Sequence, residues 1–186
     1  MIVLQRITRT DDRILKDMSV HYSQPKGFVG RNICYAVLFE GVYYGAIVAG
    51  SSTKHLPGRN EFLKKFDGWY NLNNIINNIF YHVEPKNGKY PVRNFTQKVL
   101  KAFMRQAKKD WQSFYGNHVL AFETLVELPR TGELYRRCGF VEVGKTKGYT
   151  CKRIGGVGTD SWTGKRIWDT KNLRPKIVLL RLASDV

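Results

Sequence analysis

The sequence predicts a mixed α/β (α+β) fold: one central, mostly antiparallel sheet flanked by helices. Three observations carry this reading. Apolar runs of strand length alternate with helical segments in the order strand, helix, hairpin, strand, helix, strand, helix, strand. Two of the runs meet at Glu40-Gly41, a tight-turn pair that makes their strands antiparallel neighbours. After Asn94, Phe95, Val99, Ala102, Phe103 and Ala107 recur at three- and four-residue steps, the period of a helix with one buried face. With 186 residues, 42% of them hydrophobic, the chain is long enough to bury one substantial core. No repeat or linker divides it, so residues 1–186 are expected to form a single domain.

Taken in order, residues 1–7 alternate as a first strand, and Asp11 and Asp12 suit the N-terminus of a helix over 13–18. Residues 33–40 and 42–50 form the hairpin, followed by a polar loop at 51–65 with room for a short helix. Residues 72–83 are β-compatible but unusually polar, because Asn73, Asn74, Asn77 and Asn78 interrupt them. Asn94 is placed to cap the long helix, which is expected to end near Trp111. An apolar strand at 118–124, a short helix at 129–137, a strand at 141–143 and a last strand at 177–181 complete the list. Glycines between 155 and 164 predict a loop, part of a basic, Gly- and aromatic-rich region at 148–176.

Composition narrows the function classes. Thirty-one Lys and Arg against fifteen Asp and Glu give a net charge of +16 and a pI near 9.9. Such a surface attracts polyanions and releases their counterions on binding, so DNA is the leading partner; a protein that is simply basic is the other reading. No apolar run approaches the ~18–20 residues of a membrane span, and the N-terminus lacks the apolar stretch of a signal peptide. Cys34, Cys138 and Cys151 are few and widely spaced, which suits a reducing, cytoplasmic setting without disulfides. No Cys-x-x-Cys or paired-His spacing occurs, and His55, His82 and His118 suggest no site, so no metal is expected.

One short motif is informative about chemistry. Leu134-Tyr135, three residues, then Gly139-Phe140 and the alternating Val141-Glu142-Val143 resemble the late helix-to-strand corner of GNAT-type N-acyltransferases. Further blocks extend the likeness: His21-Tyr22-Ser23, Lys26-Gly27, Gly30-Arg31, the run from Tyr44 to Gly50, Phe66-Asp67-Gly68-Trp69, Ile76-Asn77-Asn78, and Pro91 through Phe95. Asp110-Trp111, Tyr115-Gly116 and the run from Glu123 to Glu127 follow. In this order they resemble an uncharacterised domain family that includes the A component of the Druantia anti-phage system. They are similar, more distantly, to the family of the phage DNA-modification protein Mom. The resemblance implies a GNAT-like fold that transfers an acyl group to an exocyclic base amine, adenine favoured, with Tyr135 beside the cofactor sulfur. It also implies an acyl donor, acetyl-CoA or another, held by the segment Arg93, Asn94, Phe95, Thr96 and Gln97. That segment lacks the family's glycines, whose turn lets backbone N–H groups approach a pyrophosphate, so weak acetyl-CoA binding or another donor is expected. Ile79-Phe80 stands where the family carries an arginine.

The residues themselves allow two readings each. His21 suits general-base removal of an amine proton near neutral pH, or closes a helix and bonds to backbone. Tyr135 can donate a proton to a leaving group, or be a core aromatic with a local partner. Glu127, with Tyr22 among the candidates for the catalytic set, can orient or deprotonate an amine at a strand end, or be a surface carboxylate. Glu123 lies inside an apolar strand and needs a partner if buried. Asn77 and Asn78 match an adenine edge, or bond to neighbouring backbone. Arg31, Lys145, Lys147, Lys152, Arg153, Lys165 and Arg166, with Trp162 and Trp168, supply cations and flat rings for a single strand or a flipped base, or form a solvated loop.

Three functions stay open on this basis. The first is a DNA-modifying acyltransferase-like enzyme of phage or mobile-element origin that evades restriction. The second is a non-catalytic DNA-binding component of an anti-phage defence or transposition system. The third is an ordinary acetyl-CoA-dependent N-acetyltransferase. The sequence leaves the acyl donor, the modified base and the oligomeric state unassigned.

Overall fold

The computed structural model describes residues 1–56, 58–65, 71–148, 150–151, 168–169 and 173–186. Strand β1 (Ile2–Ile7) leads to α1 (Asp12–Val20), whose N-terminus is capped by the Asp11 side chain accepting from the Arg13 N–H. Strands β2 (Asn32–Phe39) and β3 (Val42–Ser51) form the expected hairpin; Glu40 and Gly41 both take positive φ, 50° and 78°, as a twist-matched two-residue turn requires. Helix α2 (Arg59–Lys64) falls in the polar loop. A 3-10 turn at Leu72–Asn74 precedes β4 (Ile75–Val83), so the polar start of the expected strand is a turn. Helix α3 (Phe95–Tyr115) runs a turn beyond Trp111, because the left-handed stop is at Gly116 (φ 67°).

Strand β5 (Ala121–Glu127) begins three residues later than its sequence pattern suggests; the lead-in is spent bonding the Leu120 N–H to the Asn74 carbonyl. Helix α4 (Glu133–Arg136) is one turn, shorter than expected, since Arg130 closes a turn onto Glu127 and Gly132 is left-handed at φ 72°. A Cβ at Gly132 would lie 2.5 Å from Leu179, so the start of α4 can sit this close to the sheet only with glycine there. Strands β6 (Val141–Lys145), β7 (Thr150–Cys151), β8 (Trp168–Asp169) and β9 (Lys176–Leu182) finish the chain.

The main sheet has seven strands in the order β1-β2-β3-β4-β5-β9-β6, while β7 and β8 pair separately. All its neighbours are antiparallel except β4 and β5. Helices α3 and α4 cover one face: Phe95, Val99, Leu100, Phe103, Met104, Ala107 and Trp111 pack on Tyr35, Ile47, Ile76, Phe122 and Leu179. On the other face α1 sets Ile14 and Met18 against Cys34, Ala46, Val48 and Phe80, and α2 sets Leu63 against Ile75, Ala121 and Leu180.

Glu123 is fully buried and has its partner in Arg59, also fully buried, at 3.0 Å. Arg59 further donates to Ser52 Oγ, the Thr53 and Lys54 carbonyls and Asn60 Oδ1, while the second Glu123 oxygen accepts from the Thr53 N–H. The carboxylate inside an apolar strand is therefore an anchor for the α2 segment. Among the described residues no helix is long and apolar enough to cross a membrane.

Candidate active site

Strands β4 and β5 pair only from Ile75 opposite Ala121 to Asn77 opposite Glu123, then diverge. The break coincides with a bulge in β4, where Val48 faces Phe80 and Ala49 faces Asn78, leaving Ile79 as the extra residue. Beyond it opens a wedge-shaped cavity of about 530 Å³. Its walls are the end of α1, the bulge, the end of β5 and the segment through α4. His21, Tyr22, Glu127 and Tyr135, residues from three separate parts of the chain, all line it.

Asn78 organises the apex. Its Nδ2 lies 3.1 Å from the Val48 carbonyl and 2.9 Å from the Phe80 carbonyl, which fixes the amide group there. Its Oδ1 consequently faces Tyr135 and accepts from that hydroxyl at 2.6 Å. The Thr124 hydroxyl donates to the Asn78 carbonyl at 3.1 Å and ties β5 to the same point. Burial pushes the Tyr135 hydroxyl well above the usual tyrosine range, so it stays protonated. Asn78 thus follows the backbone-bonding alternative of its two readings, with a hydroxyl held besides.

His21 follows directly on α1 and is 7% exposed. Burial first, then the charge of His82, brings it down to about 4; a hydrogen bond to the Tyr81 backbone acts in the other direction. The Ser23 N–H and hydroxyl lie 3.3 and 2.8 Å from Nδ1. An N–H can only donate, so Nδ1 carries the lone pair and the ring proton sits on Nε2. The ring packs on Tyr22 and Phe80, centroids 4.2 and 4.7 Å away. Tyr22 in turn lies under the Arg130 guanidinium, 3.5 Å from its ring centre. Glu127 Oε1 is held by Arg174 at 2.7 Å, and Oε2 has no partner among the described residues. Lys176 and Arg130 add two cations to the lining.

The proposed donor segment begins α3. Asn94 takes φ 56°, ψ 33°, a left-handed conformation that asparagine tolerates. Arg93 and Asn94 are exposed, and the first-turn N–H groups of Phe95, Thr96 and Gln97 have no acceptor among the described residues. Phe95 itself is buried against Tyr44 and Tyr90, so only its backbone is available to a ligand. The Tyr81 hydroxyl reaches the Thr96 carbonyl at 2.9 Å and Cys138 touches the Gln97 carbonyl, which fixes this terminus beside the cavity wall.

Of the expected nucleic-acid residues, the three whose side chains are described, Arg31, Lys145 and Lys147, do not line the cavity. Arg31 lies at the start of β2, bonded to Asn117 and stacked 5.0 Å over Tyr115. Lys145, the last residue of β6, and Lys147, just past it, are exposed, with Lys145 3.8 Å from Glu142. Lys152, Arg153, Trp162, Lys165 and Arg166 lie outside the described residues, and Trp168 is described only as backbone in β8. The sequence reading missed Thr124 and Arg130, and took Arg174 and Lys176 only as part of the late basic cluster for nucleic acid; no local pattern ties Lys176 to this cavity or Arg174 to Glu127.

No protein-family model matches the chain, and no curated protein sequence matches it. Solved structures do. A Bacillus subtilis acetyltransferase in complex with CoA is 12% identical, covers 97% of both chains and superposes with a TM-score of 0.57. The ribosomal-protein-S18-alanine N-acetyltransferase of Escherichia coli is 11% identical over 98% of this chain and 94% of its own, with a TM-score of 0.57. A GNAT family acetyltransferase from Elizabethkingia anophelis with acetyl-CoA bound is 13% identical over 97% of both chains, with a TM-score of 0.55. At these identities the likeness is one of architecture, and the architecture of this chain is the GNAT fold.

Proposed function

We propose that the protein is an acyl-CoA-dependent N-acyltransferase whose acceptor is an amine carried on an anionic molecule. The observation that supports this best is the divergence of β4 and β5 at a bulge that holds a protonated tyrosine at the cavity wall. An acyl-CoA would supply an activated thioester, and the residues present fit it: free N–H groups and a left-handed turn open α3, with Arg93 beside them. Tyr135 holds a proton on its hydroxyl oxygen, and Asn78 keeps that oxygen in place. The His21 lone pair is already claimed by Ser23, so Glu127, which lines the cavity and has one oxygen without a partner among the described residues, is the better-placed acceptor for the amine proton. His21 and Tyr22 then shape the acceptor side, with Arg130 stacked above.

Arg130 and Lys176 favour an acceptor with phosphate or carboxylate groups over a polyamine. A base amine in DNA is the finer reading, supported by the net charge of +16 and by the likeness to the Mom family blocks. Release of free thiol from acetyl-CoA, followed with a chromogenic disulfide, tests the proposal against oligonucleotides, nucleotides, acidic peptides and spermidine. Tyr135→Phe should slow any turnover by about 10² to 10⁴ while leaving acetyl-CoA affinity within a few-fold. Absence of acetyl-CoA binding by calorimetry would remove the reading altogether.

A further inference from the structure

A second concavity, about 630 Å³, lies at the β1 edge and shares no lining residue with the candidate active site. The end of β1, the first residues of α1, the start of β2 and the end of α3 enclose it. Three arginines, Arg6, Arg9 and Arg13, face one carboxylate, Asp11. Arg13 takes that carboxylate with two nitrogens at 2.9 Å each, so the acid is spent. Among the described residues no acid pairs with Arg6 or Arg9, and their donors are unclaimed. The Arg6 guanidinium lies 4.7 Å over Phe114, a phenylalanine left 55% exposed. At the rim Arg31 lies over Tyr115 in the same manner.

We propose that this groove binds single-stranded nucleic acid. Guanidinium groups without acid partners match phosphates, and exposed ring and guanidinium planes give bases a stacking surface. A duplex would present phosphates alone, and an acidic protein would present carboxylates without flat rings. β1 stands three strands from β4, roughly 14 Å at ordinary strand spacing, so a strand bound here does not occupy the acceptor cavity. The inference rests on the groove and does not depend on acyl transfer.

The test is fluorescence anisotropy of a labelled thymidine 12-mer with the whole protein across a sodium chloride series. Arg6→Gln with Arg9→Gln should raise Kd about tenfold or more and flatten the salt slope by about 1.4, two single-strand phosphate contacts. Phe114→Ala should weaken the single strand about fivefold or more, with the slope kept and duplex affinity unchanged. Lys101→Gln with Arg105→Gln removes equal charge from the exposed side of α3 and should change Kd less than about twofold. Equal losses from the two double variants would show a diffuse charge effect and overturn the proposal. So would an equal loss of duplex binding in Phe114→Ala, or displacement by polyglutamate as effective as by unlabelled strand; the last result would assign the groove to an acidic protein.

Discussion

Asn78 and His21 show how much a buried polar side chain is constrained by its neighbours. Two backbone carbonyls dictate which end of the Asn78 amide faces Tyr135, and a backbone N–H dictates which His21 nitrogen is bare. The His21 environment also carries a stability consequence. Its folded pKa, about 4, lies below the ordinary value of 6.5, so between those values the unfolded chain binds the proton and the folded chain does not. Stability is therefore full above pH 6.5 and falls as pH drops toward 4, by up to about 3 kcal/mol from this group. Urea titrations at pH 7 and pH 4.5 should show the loss, and His21→Gln should reduce the difference between the two. An unchanged difference in the variant would place the acid sensitivity in other groups.

At the scale of elements, the Arg59–Glu123 pair decides whether the α2 segment stays docked. Both side chains are wholly buried; Arg59 satisfies the Thr53 and Lys54 carbonyls, and Glu123 the Thr53 N–H. Removing one partner leaves a stranded charge, so Arg59→Met and Glu123→Gln should each cost about 3–5 kcal/mol. The combination of Arg59→Met with Glu123→Leu should recover much of that loss, because it strands nothing. Denaturant melts decide it; single variants within about 1 kcal/mol of wild type would mean that water reaches the pair. This is also where the reach of the sequence becomes plain. The β2–β3 turn, the Asp11 cap and the face of α3 were legible because their chemistry is local. The need of Glu123 for a partner was legible too, but Arg59 lies 64 residues away and no pattern names it. The bulge at Ile79 and the parting of β4 from β5 arise from pairing between distant segments, so the paired asparagines were visible while their task was not. The site residues drawn from the family resemblance, His21, Tyr22, Glu127 and Tyr135, do share a cavity, whereas the places of Arg130 and Lys176 in its wall emerge only in three dimensions.

For the whole molecule the dominant quantity is charge. A net +16 on 186 residues repels itself in the folded state and attracts polyanions. Salt should thus act in opposite senses on two observables. Raising sodium chloride from about 0.02 to 0.3 M, which shortens the Debye length from roughly 20 Å to 6 Å, should raise the melting temperature of the free protein. Over the same range oligonucleotide affinity should fall steeply. A melting temperature that drops with salt would mean that attractive pairs, such as Arg136–Glu142 and Arg174–Glu127, outweigh the repulsion.

The brief pairing between β4 and β5 has a mechanical meaning. It makes the sheet two stiff leaves, β1 to β4 and β5 with β9 and β6, joined by a hinge only three residue pairs long. Backbone ladders resist bending within each leaf, and at the mouth of the parting the side-chain straps, Thr124 to Asn78 and Tyr135 to Asn78, converge on one asparagine. The gape of the cavity is accordingly an angle between leaves, set at a single residue. A ligand that touches both leaves adds a bridge where the backbone pairing has ended, so binding there should tighten the entire sheet rather than one pocket wall.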